Sequence, residues 1–217
     1  MRFFIGIDLS SPRGKSGVCV LEGKNVLFAD YVPFSSLIDF LKEWKRKGEV
    51  TIAIDGPQGL SGEKGKIRFA DSILNTPVKC EYEFPPPSNP YSEFVKGSIQ
   101  LFYSLHKNRY LLFNSSNLKN FEVLETYPHG IWNCLLKFPL KKKRTEGGRI
   151  DRLKVLKKFE LETKKFRTHD IIDAGACALT AFLAKAGNFI AIGMDFFEDN
   201  GILREGWVIL PFLPPFS

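Results

Sequence analysis

Two short, mostly apolar runs, Phe3-Phe4-Ile5-Gly6-Ile7 and Val50-Thr51-Ile52-Ala53-Ile54, each stop at an aspartate, Asp8 and Asp55. Runs this short and this apolar read as strands covered on both faces. Between them Ser35 can cap a helix that reaches about residue 47, with Leu37, Ile38, Leu41 and Trp44 on one side and Gly48 at its end. A helix joining two buried strands makes them parallel and sets the class as α/β. Residues 18–21 and 26–32, joined by Glu22-Gly23-Lys24-Asn25, read as two more strands, which form an antiparallel meander with the first.

Further acids stand at similar places. Glu125 closes Phe121-Glu122-Val123-Leu124 and precedes Thr126-Tyr127-Pro128. Asp170 and Asp173 lie one turn apart at the start of a helix over residues 169–185, which Thr168 can cap and Gly187 can end. A carboxylate at the exit of a buried strand is costly unless something pairs with it. Ligands of α/β sheets bind outside the carboxyl ends of parallel strands, where Asp8 and Asp55 sit. Any one of these acids alone reads more readily as a turn former or a helix-start residue. Together they point to a shared divalent cation. Oxygen donors without a Cys or His cluster suit Mg2+ or Mn2+ rather than zinc.

Charge gives a second signal. The chain of 217 residues carries a formal net charge of +7, concentrated between Lys137 and Arg167, where 13 Lys and Arg face 4 acids. Such a block suits a polyanion such as a nucleic acid, or else a solvated helix face, and the count does not choose between them. Within it, Lys143, Arg144 and Arg149 flank the loop Thr145-Glu146-Gly147-Gly148, which suits phosphate-backbone contact. Lys15 and Arg68 are further phosphate candidates, against the plainer reading of surface charge. His169 suits proton transfer or the support of Asp170, or is simply a helix-start residue. Tyr127 and Trp132 read as core aromatics that could also stack on a base. No run is long enough to span a membrane, and the chain opens on a strand without a signal-peptide layout, so a cytoplasmic protein is expected. The scattered Cys19, Cys80, Cys134 and Cys177 fit reduced, structural thiols there. Residues 189–192 and 207–210 read as two short final strands.

The opening with Asp8, Asp55-Gly56-Pro57, Glu125-Thr126-Tyr127-Pro128 and His169-Asp170-Ile171-Ile172-Asp173-Ala174 resembles the RNase H-like nucleases. More closely it resembles the family catalogued as domain of unknown function 429. Asp170-x-x-Asp173-Ala174 also looks like the terminal acidic pair of Holliday-junction resolvases, and Arg68-Phe69-Ala70-Asp71 resembles an Arg-x-x-Asp element of the family. The resemblance implies a three-layer α/β fold, with helices flanking a five-stranded mixed sheet whose first three strands are antiparallel. It implies a single domain over 1–217, with an insertion at about 56–120 between the fourth and fifth strands and an extension at 188–217. It further implies two-metal-ion hydrolysis of phosphodiester bonds. Asp8 would bridge both ions, Asp55, Glu125 and Asp173 would be further ligands, and Asp170 a ligand or a support behind them. DNA and RNA stay equally open as substrates. Resolvase-like enzymes work as dimers, so a homodimer belongs to the resemblance, although no dimer surface can be read here. Two other readings share the fold: an ATP-binding protein of the actin-like and sugar-kinase superfamily, and a non-catalytic nucleic-acid-binding module.

Overall fold

The computed structural model describes residues 1–136 and 138–212. Lys137, at the head of the basic segment, and residues 213–217 of the expected extension lie outside the described residues.

The meander comes first: β1 (Arg2–Asp8), β2 (Lys15–Glu22) and β3 (Asn25–Pro33), each antiparallel to the one before. A short 3-10 turn leads into α1 (Leu37–Lys47), and β4 (Glu49–Asp55) returns parallel to β1. The expected insertion carries α2 (Phe69–Leu74) and α3 (Ser92–Lys107). Then β5 (Val123–Thr126) lies parallel to β4. It is followed by α4 (Pro128–Leu135), α5 (Glu146–Lys158) and α6 (His169–Lys185). The Thr168 side chain accepts from the Ile171 amide, the cap foreseen for α6.

The sheet differs from expectation at its far edge. It has seven strands, not five, in the order β3-β2-β1-β4-β5-β7-β6. The last two are a long hairpin, β6 (Phe189–Asp199) and β7 (Ile202–Pro211), and β7 pairs parallel with β5. The residues read as a terminal extension are therefore part of the main sheet. The turn is Asn200-Gly201, both with positive φ, the two-residue hairpin turn that matches strand twist. That dipeptide was the signal for strands longer than the apolar runs alone suggest. Beyond Gly193, β6 mixes polar and apolar residues, Met194-Asp195-Phe196-Phe197-Glu198-Asp199, and shifts register between Met194 and Phe197 at an open sheet edge, so no continuous apolar run marks it.

Strand alternation divides the core into two layers. Phe3, Ile5, Ile7, Val50, Ile52 and Ile54 pack against α1 and α3. Phe4, Ala53 and Leu124 pack on the opposite face with α4, α5 and α6. α6 lies flush on β1 and β2 because glycines face it. A Cβ at Gly17 would stand 2.8 Å from the Asp170 carbonyl oxygen, and one at Gly6 would collide with the backbone of Ala174 and Ala178. The start of α6 is thereby pressed against the exit of β1. No helix of the described residues is long and apolar enough to cross a membrane.

Candidate functional site

Parallel pairing sets the first half of the site. Asp8 and Asp55 are in register at the ends of β1 and β4. Alternation turns both toward α6, because each follows the parity of Gly6 and Ala53. Their carboxyl groups share a hydrogen bond, with Asp55 donating in its protonated form. Burial, opposed by Lys143 and reinforced by Asp173 and Asp170, lifts Asp8 to about 7. Burial and then the charge of Asp8 push Asp55 well above the usual carboxylate range. Among the described residues no backbone amide donates to either carboxyl group.

α6 supplies the second half. Asp173 is buried and accepts the Trp132 indole N–H at 2.8 Å. Asp170 is half exposed at the rim, where the Tyr31 hydroxyl donates to it at 3.1 Å and also meets Thr168. Lys143 reaches into the middle. Its Nζ lies 2.6 Å from Asp173, 3.7 Å from Asp170 and 3.8 Å from Asp8. Burial works against that ammonium, but Asp173 and Asp8 outweigh it and raise its pKa. Lys143 was read as a phosphate contact; the structure places it among the acids, as their counter-charge. No sequence signal could have found this, since the pairing spans most of the chain. Trp132 is likewise a core residue that holds Asp173, not an exposed stacking surface.

Glu125 does not join these acids. It pairs in register with Ile54 and so takes the opposite face from Asp55, whose partner is Thr126. There it meets Arg68, which was expected on the surface or at a phosphate but is 1% exposed. Arg68 Nη1 and Nη2 each donate to a Glu125 oxygen at 2.6 Å. Nη2 and Nε also donate to Asp71, at 2.8 and 3.2 Å. The Gln58 amide donates to Glu125, and the Cys80 amide and Thr76 hydroxyl donate to Asp71. Glu125 and Asp71 more than offset the desolvation of Arg68, whose pKa is raised well above its ordinary value. Burial lifts Glu125 despite the pull of Arg68. The i, i+3 spacing of Arg68 and Asp71 on a helical turn was the sequence trace of this network.

The remaining candidates are dispersed. Lys15 and Arg144 are exposed, and Arg149 Nη2 points to the Phe166 carbonyl at 3.5 Å. His169 stands at the start of α6 with its Nδ1 buried and unpartnered. Burial and Lys143 lower its pKa, so the ring is neutral near pH 7.

The donor set tests the cation idea. Among the described residues no group of three or more His, Cys, Asp or Glu stands ready to hold a metal ion. Lys143 Nζ stands among Asp8, Asp170 and Asp173, within 3.8 Å of each. A closed protein cage does not fit. A hard cation that takes one or two carboxylates and completes its shell with water and phosphate does fit Asp8 and Asp55, which are partly buried and short of positive charge.

The chain belongs to the family described as "Protein of unknown function (DUF429)", whose family model matches residues 6–195. No curated protein and no solved structure matches it.

Proposed function

We propose that this protein is a metal-dependent nuclease of the RNase H-like kind, which hydrolyses phosphodiester bonds of nucleic acid. One observation carries the reading. Two partly buried aspartates leave neighbouring parallel strands in register and face a third on α6; Lys143 lies among the three, and of these Arg152 acts on Asp173 alone. Buried charge with so little compensation is expected at a reacting site rather than in a structural network. The antiparallel meander, the parallel β4 and β5 and the terminal helix over the sheet support the RNase H-like comparison.

In this reading Asp8 and Asp55 would hold Mg2+ or Mn2+, with Asp173 beside them. When bound, the ion lowers the pKa of a coordinated water and neutralises charge on the leaving oxygen. The chain's own groups do the rest. Trp132 fixes one oxygen of Asp173, and Tyr31 fixes Asp170. Lys143 competes with the cation for Asp173, and phosphate is the group that can draw its ammonium outward. Neutral His169 has a free Nδ1 that can accept a proton. Arg144 and Arg149, on the same basic segment as Lys143, would follow the phosphate backbone in this reading.

The test is cleavage of single-stranded, duplex and branched DNA and RNA with Mn2+. Asp8→Asn should lower the rate by at least about a thousandfold, the loss of roughly 4 kcal/mol of barrier stabilisation. A wild type that cleaves and an Asp8→Asn protein that cleaves equally well would end the proposal. A second readout is binding: Mn2+ should raise the melting temperature of the wild type and leave Asp8→Asn unmoved.

A further inference from the structure

A cavity of about 380 Å³ opens beside Asp55, at the carboxyl ends of β4 and β5. We propose that it receives one unstacked nucleobase, so that the substrate is a single-stranded or locally opened strand. This deepens the nuclease reading and rests on it.

The walls are the first argument. Leu9, Pro57, Pro77, Val78, Phe94 and Tyr127 give flat apolar surface, and Tyr91 stands exposed among the lining residues. Apolar and aromatic walls with a few polar groups are the usual make-up of a small-molecule site, and the volume suits a single ring system. Aromatic side chains that stack on a base contribute affinity without regard to its sequence.

Charge is the second argument, and it selects the part of a nucleotide that enters. Asp55, Asp71 and Glu125 line the cavity with Arg68 as the single cation. Every Arg68 nitrogen already donates to Glu125 or Asp71. A phosphate would therefore meet net negative charge with no free donor from that guanidinium. A neutral ring carries no charge for those carboxylates to repel. The Thr126 hydroxyl donates to the Ile209 carbonyl and keeps lone pairs free. The phosphodiester is left outside, on the side of Asp8 and the basic segment.

Position is the third argument. Asp55 belongs both to the acidic pair and to the cavity wall. A base lodged there holds its own phosphate next to the carboxylates. Stacked, paired bases cannot enter, so a strand must offer an unpaired base or have one turned out of the helix.

The experiment uses the full chain in EDTA, so that no strand is cut. The probes are DNA and RNA oligonucleotides with one 2-aminopurine, single-stranded or within a duplex, and free 2-aminopurine nucleoside as competitor. The single strands should change in fluorescence on binding, and the duplex much less. Val78→Trp fills the cavity, and Tyr91→Ala removes a stacking surface without touching the core, which covers the case that Val78→Trp fails to fold. Each should abolish the fluorescence change and weaken single-strand binding about tenfold, the worth of one stacked base. Unchanged binding and fluorescence in both folded variants would overturn the proposal, as would a wild type that binds no strand. Mn2+-dependent cleavage that ignores both substitutions removes the base pocket and leaves the nuclease. Base insertion without any cleavage removes the nuclease and leaves the pocket.

Discussion

Glu125 and Asp55 leave neighbouring strands one residue apart in register, yet they face opposite sides of the sheet and meet opposite charge balances. On one side Arg68 grips Glu125 and Asp71 through both edges of its guanidinium, and amides of Gln58 and Cys80 fill the remaining lone pairs. On the other, Asp8, Asp55 and Asp173 share Lys143, and Asp8 and Asp55 have only each other for a hydrogen bond. The Arg68 cluster is buried throughout; in the other, Asp173 is buried but Asp8 and Asp55 are only partly so, and Lys143 reaches solvent. Satisfaction separates the two further. The first is complete and ties the segment bearing α2 to β5; the second is under-compensated, and that is the ground for proposing a cation there.

The strongest way to break this contrast is to damage the satisfied side. Arg68→Met should cost about 3–5 kcal/mol by leaving two buried carboxylates unpaired. A chemical-denaturation midpoint near that of the wild type would show the network to be dispensable. The double variant Arg68→Met with Glu125→Gln should lose less than Arg68→Met alone, because one stranded charge goes with it.

The under-compensated side should respond with the opposite sign. Asp8 has a folded-state pKa of about 7, above the ordinary 3.8. The folded chain therefore keeps a proton that the unfolded chain releases, and stability falls as pH rises from about 4 to about 7 and then levels. Asp55 is shifted the same way and adds to the fall. Asp8→Asn removes the Asp8 share. It should match the wild type below about pH 4 and exceed it at pH 8 by about 2 kcal/mol, or about 4–8 °C in Tm. Melting curves that keep the wild-type pH dependence would refute the assignment.

Lys143→Met should be milder. The side chain is 41% exposed, so solvent screens its attraction. At pH 8 and low salt a loss of about 1 kcal/mol is expected. Added Mn2+ should raise the Tm of Lys143→Met more than that of the wild type, because the competitor is gone. Equal metal responses would mean that Lys143 and the cation do not share the site. The smallest effect should come from the exposed Glu63–Lys66 pair, where Glu63→Gln should move stability by less than about 0.5 kcal/mol.

These contrasts also show what was legible in the sequence. Strands that are apolar on both faces announced themselves, and the acids after β1 and β4 followed from them. The α6 pair was placed by a cap and a helical period. Glu125 shows the limit: strand ends could be counted, but parity could not be fixed without the register of β5 on β4, and one residue decides the face. Arg68 and Lys143 show another. Both looked like surface cations, and in the fold each has become the partner of distant acids. Residues 189–192 and 207–210 read as strands and lie within β6 and β7; the rest of the hairpin escaped because residues 194–199 mix polar and apolar side chains without a period, although Asn200-Gly201 marked its turn.

The glycines beneath α6 have a consequence for mechanism. At Gly6 and Gly17 helix and strand meet main chain to main chain, with no side chain between them. The spacing between the strand acids and the helix acid is then set by backbone thickness, like two plates in direct contact. Repacking the hydrophobic layers around α6 should leave that gap unaltered. A single methyl group at Gly6 would act as a shim, lifting the helix and carrying Asp173 away from Asp8 while every carboxylate stays in place on its own chain segment.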